Sequence, residues 1–173
     1  MNNVILVTYA TRYGSTREVA ERIATRLREK DLQVDLKSVE HVTSLEGYRA
    51  VVLGAPFYVF SLLKDATRFL ERFREDLEHL PVALFTLGPI EPTEDLTGAR
   101  AQIDRALEKI PWFKPIVAEI FVGKYDPKEL HVADKLLAAM PASPLHGKPA
   151  YDGRDWLAIT EWADALPAVL VAE

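Results

Sequence analysis

The segment Thr8-Tyr9-Ala10-Thr11-Arg12-Tyr13-Gly14-Ser15-Thr16 packs hydroxyl groups around a glycine, between the apolar run Val4-Ile5-Leu6-Val7 and a helical spacing of Val19, Ile23 and Leu27. Such a loop opens a helix, and a helix N-terminus presents unpaired backbone N–H groups and a partial positive charge. Thr11, Ser15 and Thr16 add neutral donors at the same point, which suits a phosphate monoester. The same residues also read as a capping box, Ser15-x-x-Glu18, whose hydroxyl and carboxylate satisfy two N–H groups without any ligand. Placement favours the ligand. Open parallel sheets bind beyond the carboxyl ends of their strands, at the switch point near the first and third, and this loop ends the first strand.

Two further segments fall on the same edge. The third strand leads into Gly54-Ala55-Pro56-Phe57-Tyr58-Val59-Phe60, where a glycine and a proline are expected to shape a loop that exposes three aromatic rings, a place for a flat ring to stack. The bland reading of these rings is core. The fourth strand leads into Thr86-Leu87-Gly88-Pro89-Ile90-Glu91-Pro92, whose backbone groups can bond a heteroaromatic edge, or which is simply a turn before a helix capped by Thr93. Three loops converging on one edge describe a binding site.

Other chemistries find no pattern. The chain has no G-x-G-x-x-G fingerprint, no G-x-x-x-x-G-K-[ST] phosphate loop and no G-x-S-x-G nucleophile elbow. His41, His79, His131 and His146 lack metal-ligand spacing and read as surface residues. With no cysteine there is no disulfide, thiolate site or thiol nucleophile, so redox chemistry requires a cofactor, and a reducing cytoplasm is the expected compartment.

The elements that must position these loops alternate between strand and helix. Gln33 to Val39 alternates like an edge strand, Ala50-Val51-Val52-Leu53 is a buried run, and Leu62, Ala66, Phe69, Leu70, Phe73 and Leu77 line one helix face with Ser61 as its cap. Val82-Ala83-Leu84-Phe85 is a fourth strand; Ile103, Ala106, Leu107 and Ile110 mark a helix ended by Pro111; Ile116 to Phe121 is the fifth strand. The pattern predicts an α/β fold, a doubly wound five-stranded parallel sheet. A final helix buries Trp156, Ile159, Trp162, Ala163, Leu166 and Leu170. Before it, an insertion at about 122–151 carries the apolar stripe Val132, Ala133, Leu136, Leu137 and Met140. One domain is expected over residues 1–173.

A net charge of -5 gives no basic footprint for nucleic acid. Met1-Asn2-Asn3 carries no basic n-region, so no signal peptide is expected. The longest apolar stretch, 50–63, contains Pro56 and falls short of the roughly 20 residues of a membrane-spanning helix.

Tyr9-x-Thr11-x-x-Gly14-x-Thr16-x-x-x-Ala20 resembles the flavodoxin signature, departing at Thr8, where an apolar residue is usual. The resemblance implies a flavodoxin-like sheet in the strand order 2-1-3-4-5 and an FMN whose phosphate sits on Thr11, Arg12, Tyr13, Gly14, Ser15 and Thr16. Its isoalloxazine ring would lie between Ala55-Pro56-Phe57-Tyr58 and Thr86-Leu87-Gly88. Within that superfamily the chain resembles the flavodoxin-type protoporphyrinogen IX dehydrogenases, which pass electrons to a quinone. The residues that carry this are Thr11-Arg12-x-Gly14-x-Thr16-Arg17-Glu18, the insertion, and Tyr151-x-x-x-Asp155-Trp156. Two departures stand out. The stretch 124–149 carries only Lys124, Lys128, Lys135 and Lys148 where that enzyme type is rich in basic and aromatic residues, and the loop 86–92 lacks the aromatic that flavodoxins often stack on the flavin. The resemblance implies a porphyrinogen and a quinone as partners, with peripheral membrane contact left open. The alternative is a carrier passing single electrons between redox proteins, favoured by an acidic rim such as Glu91, Glu94 and Asp95, and a third is a fold that has lost its flavin and serves as an interaction module.

Overall fold

A computed structural model describes residues 3–58, 61–88 and 96–171. Five parallel strands form its centre: β1 (Val4–Tyr9), β2 (Gln33–Ser38), β3 (Tyr48–Tyr58), β5 (Val82–Leu87) and β6 (Val117–Phe121), in the order β2-β1-β3-β5-β6. Counting only these strands, the order is the expected 2-1-3-4-5. A two-residue strand, β4 (Ser61–Leu62), pairs antiparallel with the end of β3.

The continuous apolar runs form central strands because both faces of the sheet are covered. Period-2 alternation divides their side chains between two cores. Ile5, Val7, Ala50, Val52, Ala83, Phe85 and Leu87 pack under α1 (Ser15–Arg28) and α6 (Trp156–Leu170), while Leu6, Val51, Leu53, Ala55, Val82 and Leu84 pack under α2 (Lys64–Arg72) and α3 (Arg74–Leu77). In α1, Val19, Ala20, Ile23, Ala24 and Leu27 form the buried stripe, with Arg26 and Arg28 in the last turn complementing the helix dipole. Asp155 caps α6, its carboxylate accepting from the amides of Leu157 and Ala158 at 3.0 Å each.

The structure departs from the sequence reading in four places. The segment expected to leave the sheet as a loop at Gly54 continues as strand to Tyr58, with Ala55 opposite Thr86 and Pro56 opposite Leu87. Pro56 lacks an N–H but still accepts a bond from the Leu63 amide at 3.1 Å. Ser61 belongs to β4 instead of capping α2, which begins at Lys64 with no side-chain cap and breaks at Phe73, whose φ of -110° divides α2 from α3. The helix α4 (Leu96–Leu107) stops before Pro111, closing through a tighter turn in which the Ile110 amide donates to the Leu107 carbonyl. Finally, the apolar stripe of the insertion does form a helix, α5 (Val132–Ala139), but none of its residues is buried: Val132 is 77% and Leu136 67% exposed. Flanking α5, β7 (Lys124–Tyr125) and β8 (Tyr151–Asp152) pair antiparallel and close the insertion at its base. Among the described residues no helix is long and apolar enough to cross a membrane.

Candidate functional site

The loop after β1 is fastened at both ends. The Ala10 amide donates to the Gly54 carbonyl at 2.9 Å, tying the loop to β3, and the Gly14 amide donates to Thr11 Oγ1 at 2.9 Å, closing a turn. Gly14 adopts φ +89°, a conformation that a Cβ strains, and this lets the chain swing directly into α1. The Glu18 amide makes the first helical bond, to the Gly14 carbonyl, which leaves the amides of Ser15, Thr16 and Arg17 without an intrahelical acceptor.

The capping box does not form. No side chain caps α1, and the Glu18 carboxylate instead accepts from the Arg154 guanidinium at 2.7 Å. Thr16 is fully buried, and its Oγ1 has no hydrogen-bond partner among the described residues. An unpaired buried hydroxyl costs about 1–3 kcal/mol, a cost that an acceptor bound at this helix N-terminus would offset; Thr8 Oγ1 in β1 is likewise buried without a partner among the described residues. Open first-turn amides, an orphan hydroxyl and the helix dipole together form an acceptor-seeking site, which a phosphate monoester fits.

The other two segments adjoin each other beside this loop. Ala55, Pro56, Thr86 and Leu87 are buried in adjacent strands, and Phe57 is half-buried. Gly88, at φ +143°, brings its backbone so close to Phe57 that an added Cβ would sit 3.3 Å from the Phe57 carbonyl oxygen. Its amide donates to the Phe121 carbonyl, which draws the start of the insertion to the same edge. Thr86 Oγ1 lies 3.4 Å from the Glu119 carbonyl. The side chain of Tyr58, and Val59, Phe60, Pro89 to Pro92, Thr93, Glu94 and Asp95, lie outside the described residues.

Three residues at this edge escape a reading of the sequence, because each comes from more than 100 positions away. Asp134, in the first turn of α5, accepts from Arg12 at 2.6 Å and from the Tyr13 hydroxyl. His131 lies against the Tyr13 ring with centroids 5.0 Å apart. Arg154, only 4% exposed, bonds Asp152 and Glu18 and lies over the Trp156 ring at 4.7 Å. The only sequence signal for Arg154 was its place between two acids, Asp152 and Asp155. It ties the base of the insertion to the first turn of α1.

Arg154→Met is therefore expected to lower stability by about 1–2 kcal/mol, a modest loss because Asp152 and Glu18 are each more than a third exposed and rehydrate. The hydrogen bond from Arg154 holds the Asp152 carboxyl below the usual carboxylate range. A depressed carboxylate stabilises the fold above its unfolded value, near about pH 4, and that contribution is lost as the pH falls through the folded value. Urea melts of both proteins should thus differ most at neutral pH and converge in acid. An equal gap at both would refute the ion-pair account.

A flavodoxin domain model matches residues 6–152. Among curated proteins, the protoporphyrinogen IX dehydrogenase [quinone] of Escherichia coli K12 is 29% identical over 85 residues, which is 48% of this chain and 47% of that protein. The match thus spans about half the length of that relative. Among solved structures, oxidised flavodoxin 1 from Bacillus cereus superposes with a TM-score of 0.52 at 20% identity, over 73% of this chain and 88% of that one. Rubredoxin oxygen:oxidoreductase from Desulfovibrio gigas superposes with a TM-score of 0.58 at 13% identity, over 98% of this chain but 36% of that one. With the sheet order, the glycine-turned loop at the first strand's end and a family model covering most of its length, this chain belongs to the flavodoxin-domain family.

Proposed function

We propose that the protein binds FMN at the carboxyl edge of its sheet and works as an FMN-dependent redox protein. The observation that carries this is the buried, unpartnered Thr16 hydroxyl beside the open first-turn amides of α1, at the switch point between β1 and β3. Thr11, Arg12, Tyr13, Gly14, Ser15 and Thr16 would hold the phosphate. Ala55, Pro56, Phe57 and Tyr58 would flank the isoalloxazine ring on one side and Thr86, Leu87 and Gly88 on the other.

When bound, the flavin supplies the electron chemistry, so the chain's own residues bind, orient and exclude water. Gly88 leaves backbone room beside Phe57, the Gly54 carbonyl anchors the phosphate loop to β3, and the buried Leu87 and Ala55 give the edge a dry floor. No side chain needs to act as acid, base or nucleophile.

For the substrate, the partial likeness to protoporphyrinogen IX dehydrogenase supports a two-electron oxidation of a porphyrinogen, with a quinone as acceptor. The insertion then offers one wall. Its cavity, about 260 Å³ between Tyr125, Leu130, Lys135 and Lys148, is smaller than the about 300–1,000 Å³ of most small-molecule sites. The second reading is a carrier between redox proteins, supported by the likeness of fold to single-domain flavodoxins.

Titrating the purified protein with FMN and with riboflavin, by flavin fluorescence, tests the cofactor. Saturable binding at least tenfold tighter for FMN is expected, and equal or undetectable binding of both would overturn it. Turnover of protoporphyrinogen with a quinone by the loaded protein then separates enzyme from carrier.

A further inference from the structure

The charged donor of the loop 11–16, Arg12, has an anion of its own. Arg12 donates to Asp134 Oδ2 at 2.6 Å, the Tyr13 hydroxyl donates to the same oxygen, and Arg12 Nε lies 3.1 Å from the Tyr13 oxygen, which closes a triangle. The Tyr13 ring also packs on His131, one residue before α5. Thus the insertion's helix is fastened to the phosphate loop through its first turn and through a carboxylate. Asp134 stays charged at neutral pH, because the Tyr13 hydroxyl and then Arg12 hold its carboxyl below the usual range.

A carboxylate and a phosphate monoester ask the same thing of an arginine. We propose that Asp134 is a resident competitor for the cofactor's phosphate. It occupies Arg12 and Tyr13 in the ligand-free protein and gives up Arg12 to the phosphate, so that the insertion sets how tightly the loop prefers FMN to a flavin without phosphate. This rests on the assignment of the FMN phosphate to residues 11–16.

Two facts make the exchange feasible. Arg12 is 41% and Asp134 19% exposed, so their pair is screened by water and easily parted. The α5 helix has no buried residue, and its hold on the loop runs through Asp134 and His131, so little packing opposes its release. Opening the pair before binding lowers the apparent affinity by the fraction of protein that is open.

The sign of the effect separates competition from support. If Asp134 merely braced the loop, its removal would weaken FMN. If it competes, Asp134→Asn, which keeps the shape and loses the charge, tightens FMN by roughly two- to fivefold and leaves riboflavin unchanged, as expected for one exposed charge pair. Asp134→Ala, lacking the acceptor as well, repeats the gain. In an Arg12→Ala background the gain disappears, because the shared donor is gone.

The experiment is a fluorescence titration of FMN and riboflavin against the wild type, Asp134→Asn, Asp134→Ala, Arg12→Ala and Arg12→Ala with Asp134→Asn. Tighter FMN, unchanged riboflavin and loss of the gain without Arg12 establish the competition. Weaker or unchanged FMN in both Asp134 variants, with the wild type still preferring FMN, overturns it and leaves the cofactor assignment standing. A wild type that binds neither flavin removes the assignment and the competition together.

Discussion

Thr16→Val is expected to stabilise the ligand-free protein by about 1 kcal/mol while weakening FMN by roughly 10- to 100-fold. The opposite signs share a cause. Thr16 Oγ1 is fully buried without a partner, so replacing it with a methyl of the same shape removes an unsatisfied polar group and opens no cavity. On the proposed assignment the same change deletes a donor to the phosphate, and hydrogen bonds to charged groups contribute about 1.5–3 kcal/mol. Thr8→Val is the control, since Thr8 Oγ1 is also buried and unpartnered but lies in β1, outside the loop. It should give a similar gain in stability with FMN binding unchanged. Urea melts of the apo-proteins and FMN titrations measure both quantities. If both valine variants behave alike in FMN binding, the Thr16 hydroxyl does not face the phosphate.

Gly54→Ala is expected to destabilise the fold by about 2–3 kcal/mol, although Gly54 lies in a strand where alanine is ordinarily accepted. A Cβ at Gly54 would run into the ring of Phe85, its register partner across β3 and β5. The ring cannot step aside. Phe85 is fully buried and stands edge-on to Trp162 at 6.0 Å, which in turn stands edge-on to Phe121 at 5.9 Å. The Gly54 carbonyl also anchors the Ala10 amide, so a displaced β3 carries the loop 11–16 with it, and on the proposed assignment FMN should weaken as well. Phe85→Leu in the Gly54→Ala background frees the space and should recover part of the loss. An alanine variant as stable as the wild type would show that the core at this point yields.

How far the sequence reaches can be judged at these same residues. The two-sided core was legible because apolar periodicity is local: Ile5 and Val7 against Leu6, or Ala83 and Phe85 against Val82 and Leu84, already sort the faces. The strand order, which no local pattern contains, came from the resemblance to flavodoxins. The loop from Thr11 to Thr16 was legible for a similar reason, since its glycine, its hydroxyls and its place between strand and helix lie within nine residues. What failed was punctuation. Gly54 and Pro56 promise a loop, yet Gly54 is there to admit the Phe85 ring, and Pro56 stays in the strand, its carbonyl accepting from the Leu63 amide just before α2. A Gly or Pro states what the backbone permits locally, while the packing across the sheet decides how that permission is used.

By itself, then, the sequence determined the α/β class, the two faces of each strand and the place of the hydroxyl-rich loop between β1 and α1, all set by patterns within a few turns of chain. Only the tertiary structure decided the partners of that loop. Glu18 has a ready capping role in sequence, but Arg154 lies 136 residues away in the chain and 2.7 Å away in space, and it takes the carboxylate. Arg12 and Tyr13 look free to meet a phosphate until α5 places Asp134 on them from 122 and 121 residues away. Charges and hydroxyls seek the best partner within a few ångströms, and separation along the chain carries no information about which partner that is.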